Sequence, residues 1–140
     1  MRRQREHHRE GWLALSGLVS AGLALPLAPS AWHGPEVAAI LAVAAIALLA
    51  GQRWAVAVIV LAQLCLLPTV WPRAVLGAGG SPRLIALATL TAILPGMLAM
   101  PRAAVALAAM TGHGQTERMC RYTQVGLLAI GVFAVLAPLL

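Results

Sequence analysis

Four glutamates carry every negative side chain of this 140-residue protein, and ten arginines carry every positive one; it has neither Asp nor Lys. His33 and Glu36 stand three apart and could give a metal two ligands, where zinc wants three or four. His7, His8 and His113 could converge with Glu6, Glu10 or Glu117, but nothing in their spacing requires it. There is no HExxH, no Ser/His/Asp arrangement and no CxxC. The expectation is a protein that is not an enzyme and holds no metal. An enzyme acting on lipid would need His113, Glu117 and Cys120 to meet in one cleft.

Polar residues inside the apolar stretches form the second group of candidates. Gln63 is the one strongly polar side chain deep in such a stretch, with Cys65 and Pro68 beside it. Thr89 and Thr91 precede a Pro95–Gly96 pair that predicts a kink. Two readings fit these six residues (Gln63, Cys65, Thr89, Thr91, Pro95 and Gly96): they line a path or pocket, or they bind helix to helix. Cys65 also reads as a small packing residue. Gly77–Ala78–Gly79–Gly80–Ser81–Pro82–Arg83 leads into a helix start, either as an anion cradle or as a plain flexible loop. It lacks the Gly-Lys-Ser/Thr ending of a P-loop. Cys120 reads as a loop thiol between Arg118 and Arg121. The stretch Thr111–Tyr122, with Gln115, Glu117, Arg118, Arg121 and Tyr122, reads as a compact polar contact surface or as an interfacial loop.

The elements that must carry these residues follow from composition. The chain is 61% hydrophobic and 10% charged, with mean hydropathy +0.86. A soluble domain averages about 25% charged residues, and a disordered chain needs low hydrophobicity. Both classes are excluded, leaving an all-α integral membrane protein. The net charge of +6 comes without aromatic interleaving or a binding motif, so nucleic acid is not an expected partner.

Residues 1–11 form a basic cytoplasmic tail, and residues 12–140 one transmembrane helical domain with no soluble domain. The small residues after Leu27 make a poor cleavage site, so the first apolar stretch is expected to stay as a span rather than leave as a signal peptide. The expected architecture is a bundle of about five spans (12–31, 35–50, 54–71, 83–100 and 125–140), with four as the alternative. Residues 102–111 either lengthen the fourth helix or lie along the interface. Residues 35–71 as one helix would measure about 55 Å, far beyond a hydrocarbon core of about 30 Å, so the chain must turn at Gly51–Gln52–Arg53. The third span ends at Trp71–Pro72–Arg73, and Ser81 and Pro82 supply the fourth's N-cap and first position.

Trp12, Trp32, Trp54 and Trp71 sit at span ends, where interfacial aromatics belong. With the N-terminus inside, the inner segments carry eight arginines (Arg2, Arg3, Arg5, Arg9, Arg53, Arg102, Arg118 and Arg121) against Arg73 and Arg83 outside. That bias predicts a multi-pass protein of a bacterial-type cytoplasmic membrane with a cytoplasmic N-terminus. No ionisable side chain is expected near the middle of a span, which argues against proton relays and mid-membrane haem ligands. Small residues mark the first span (Ser16, Gly17, Ser20, Ala21, Gly22) and the last (Gly126, Ala129, Gly131, Ala134).

The function these features suggest is a small accessory subunit that packs with other membrane helices in a larger complex, with membrane lipids as further partners. The alternative is a small transporter or pore. The residues leave cofactors open, whether quinone, pigment or bound lipid.

Overall fold

Runs of Ala, Leu, Val and Ile broken by Gly, Pro and short polar clusters favour helices separated by tight corners, and the computed structural model has that form. It describes residues 2–25, 34–77, 79–110 and 117–139. In chain order come α1 (Arg2–Ala24), α2 (Gly34–Leu49), α3 (Ala55–Leu76), α4 (Ser81–Leu98), α5 (Met100–Met110) and α6 (Glu117–Leu136). A 3-10 turn at Ala137–Leu139 follows. Trp32 and His33 lie outside the described residues. Among the described residues three segments are long and apolar enough to cross a membrane: α3, α4 and Arg121–Leu139. The apolar helix at Pro35–Leu49 is shorter, and α1 begins in the arginine-rich tail, ten residues before Trp12.

The α2–α3 corner falls where glycine and polar residues foretell it. Gly51 takes φ +85°, a left-handed value that suits glycine. Its N–H donates to Leu48 O (2.9 Å), and the Gln52 N–H donates to Ala47 O (3.0 Å). These two bonds make a Schellman cap that satisfies the last carbonyls of α2.

Two expected boundaries move. α3 does not stop at Pro72 but runs on to Leu76, through both Pro68 and Pro72. Each proline removes one N–H, from the carbonyls of Leu64 and Pro68, so the damage stays on a single line of the helix. The cap of α4 is Gly80, φ +89°, one residue before the expected Ser81. Helix α4 also passes through Pro95 without breaking; the break comes at Ala99, and α5 follows directly. Pro101 is tolerated there because the first turn of a helix has no use for its missing N–H.

Helix α3 packs against every other helix, and 61% of its most apolar window is buried, against 22% for α4 and 17% for the last helix. Pairs of contacts fix directions. Arg83 Nε donates to Ala74 O (3.2 Å), while Gly96 abuts Gln63, so α4 runs antiparallel to α3. Gly17 faces Ile59 and Ser20 bonds Gln63, so α1 runs parallel to α3. Gly17 also faces Ala45, which joins α2 to the same layer.

A rise of 1.5 Å per residue converts these contacts into axial levels. Trp54 lies about 13 Å to one side of Gln63, Trp71 lies about 12 Å to the other, and Trp12 falls about level with Trp54. Glu10, Arg53, Arg73 and Arg121 lie about 15 Å from the Gln63 level, and Arg83 lies about 20 Å from it. Glu36 stands about 9 Å off, close to the start of α2. Gln63 therefore sits midway between two aromatic and charged margins.

The residue distribution inverts that of a soluble domain. Among the described residues, 16 of the 29 buried apolar ones are alanine, while 27 large apolar side chains are exposed, including Leu98, Leu84 and Phe133. Among the described residues the buried polar ones are Ser16, Ser20, Gln63 and Thr89.

Candidate functional site

At mid-level three helices meet around the Gln63 carboxamide. Ser20 arrives from α1 and Gly96 from α4, each brought there by a small-residue face that lets backbones approach closely. Gln63 is 1% exposed and Ser20 fully buried. The Gln63 Nε2 donates to Ser20 Oγ at 3.2 Å, across 43 residues of sequence. Gln63 Oε1 is buried and receives no N–H or O–H. It lies against Gly96, and a Cβ built there would overlap Oε1 and stand 2.8 Å from Gln63 Cδ. The hydrogen of the Gly96 Cα occupies that direction instead, so the oxygen meets a weak Cα–H donor of the kind that recurs at helix interfaces.

Four other hydroxyls serve their own helices. Ser16 Oγ donates to Leu13 O (2.9 Å), Thr69 Oγ1 to Leu66 O (2.8 Å), Thr89 Oγ1 to Ile85 O (2.7 Å) and Thr91 Oγ1 to Ala88 O (2.7 Å). Such back-bonds satisfy a hydroxyl without reaching a neighbouring helix.

The six residues singled out by sequence are therefore only partly gathered. Gln63 and Gly96 touch, and Thr89 is buried on the same side of α4 as Gly96, seven residues away. Pro95 is half-buried, while Thr91 and Cys65 are exposed on other faces. Cys65 is thus not the packing residue its small size suggests; two residues from Gln63 on a helix, it points away from the bundle. The loop before α4 has Gly79 and Gly80 at positive φ, and Arg83 spends its Nε on the end of α3.

The small residues of α1 are spent internally, with Ser16, Gly17, Ser20 and Ala21 all buried, whereas Gly22 is exposed. In α6 the small residues divide. Gly131 and Ala134 face the bundle, where Gly131 meets Leu64 Cδ2 and Met100 Cε, and Gly126 and Ala129 face out. Arg121 and Tyr122 are exposed at the start of the same helix. Gln115 and His113 lie outside the described residues, as do the side chains of Glu117, Arg118 and Cys120.

Among the described residues no three His, Cys, Asp or Glu side chains approach as a metal site would require. A carboxamide and a hydroxyl donate and accept hydrogen bonds without gaining or losing charge. What the Ser20–Gln63–Gly96 node can do is hold three helices in one register. Sequence pointed to Gln63 as the polar residue of its span, but its partners were legible only as small residues. Comparison of the chain with family models, curated proteins and solved structures finds no match.

Proposed function

We propose that this chain is a multi-pass integral membrane protein, of about five spans, that serves without catalysis as an accessory subunit packing against other membrane helices. The observation that carries the reading is the outward face of α6. Tyr122, Val125, Gly126, Ala129, Val132 and Phe133 are all exposed and recur at helical spacing. Gly126 has no atom within 4 Å of the Cβ it lacks. Two small residues flanked by aromatics make a shallow groove suited to close approach of another helix. The exposed leucines, isoleucines and valines elsewhere suit lipid tails, and the alanine-rich interior suits helix packing that has no hydrophobic drive behind it.

In this reading α1, α2, α3, α4 and α6 cross the bilayer and Gln63 sits near its midplane. The arginine distribution supports a reading with the N-terminus in the cytoplasm of a bacterial-type inner membrane. The transporter reading is less supported, because Gln63 is engaged by Ser20 while Cys65 and Thr91 point elsewhere. Purification of the untagged protein from its native membrane in mild detergent tests the proposal. One or more companion chains are expected, and Gly126→Leu should release them. A lone monomer would refute the subunit role, and liposome flux abolished by Gln63→Leu would favour transport.

A further inference from the structure

Arg102 occupies a level that no other charged residue placed here lies deeper than. It follows the Ala99 corner by three residues, and Ala99 follows Gly96 by three, on the Trp54 side of Gln63. Whatever the tilt of α5, the Arg102 backbone then lies within about 9 Å of the Gln63 level. A second contact agrees: Met100 Cε and Leu64 Cδ2 both stand 3.6 Å from the Cβ position of Gly131, which puts the start of α5 beside the middle of α3. Arg102 is half-buried, and its neighbours Leu98, Pro101 and Val105 are exposed, so its face opens outward through an apolar surround. Among the described residues no acceptor bonds its guanidinium.

Resting on the membrane reading above, this depth puts the Arg102 backbone inside the hydrocarbon layer, so its cation must reach a counter-charge or water. An extended arginine stem reaches roughly 6–7 Å by standard bond lengths. Extended toward the Trp54 margin, it brings the guanidinium to where phosphates of the nearer leaflet begin. Lys would offer one point charge there, whereas the arginine fork matches two phosphate oxygens at once. We propose that Arg102 holds the phosphate of one phospholipid at the α4–α5 corner.

The test is native mass spectrometry of the full chain released from nanodiscs containing phosphatidylglycerol. The wild type should retain one phospholipid. Arg102→Gln should lower its occupancy roughly tenfold, the worth of one hydrogen bond to a charged group. Arg102→Lys should keep part of it, showing that the loss is not misfolding, and Arg121→Gln should keep all of it. Retention by Arg102→Gln equal to wild type overturns the proposal. So does displacement of the lipid by inorganic phosphate, which would make this a site for a free anion, or its replacement by a companion chain that Arg102→Gln releases. A protein extracted from membranes by alkaline carbonate would fail at that earlier step, and the failure would belong to the membrane reading instead.

Discussion

Adding a single methyl group at Gly96 tests the three-helix node more sharply than removing any of its polar atoms. Gly96→Ala drives a Cβ into Gln63 Oε1, whose carboxamide is enclosed on all sides at 1% exposure. Either α4 withdraws or Gln63 turns and gives up Ser20. Overpacking costs about 1–3 kcal/mol, and a lost interhelical hydrogen bond adds about 0.6–2 kcal/mol. Alanine's better helix propensity returns about 1 kcal/mol. The net loss is about 0.6–4 kcal/mol, measurable as a shift in the unfolding midpoint when the protein in mixed micelles is titrated with a denaturing detergent. The decisive variant is the double one. Gln63→Ala empties the space that the new methyl needs, so Gly96→Ala should be nearly neutral in that background, a coupling of at least about 1 kcal/mol. Additive effects of the two changes, or a Gly96→Ala protein as stable as the wild type, would refute the seat assigned to Gly96.

Two further substitutions bear on separate parts of the fold. Ser20→Ala removes the acceptor of the Gln63 amide and should destabilise the bundle by about 0.6–2 kcal/mol in the same titration, with Ser16→Ala costing less because Ser16 bonds its own helix. Gly51→Ala forces a Cβ onto a left-handed residue at the α2–α3 corner and should cost about 1–2 kcal/mol, whereas alanine at Gly22, where nothing lies within 4 Å, should be neutral or stabilising.

Much of the architecture was legible because it depends on local signals. Gly51–Gln52–Arg53 marked the hairpin, since a helix of doubled length fits no bilayer, and Pro35 marked the start of α2 within one residue. The boundaries that moved depend on neighbours instead. Pro72 ends a helix in isolation, yet α3 is wrapped by five other helices and continues. Pro95 was the expected irregularity, but the chain breaks at Ala99, where α4 leaves α1 and α5 turns to pack on α3 and α6. Gly96 looked like half of a kink, and its close approach to Gln63 could not be read from spacing because it joins residues 33 apart. Cys65 shows the same limit: its depth along the helix was evident, but its direction depends on which face of α3 the other helices claim. Arg102 follows the fourth span in sequence, which gave its side but not its depth; the depth depends on α5 beginning at Met100 and packing back on α3.

Cys65 supplies a native probe of the central claim, that these helices thread lipid with Gln63 at mid-depth. It lies about 3 Å along α3 from that level and is exposed on the bundle's outer surface. With Cys120→Ser, a nitroxide attached at Cys65 in reconstituted bilayers reports collision with oxygen, which concentrates in hydrocarbon, and with a water-soluble nickel chelate. High oxygen and negligible chelate accessibility are expected at Cys65, in contrast to a label placed at Arg53. Free access of the chelate to Cys65 would contradict that claim.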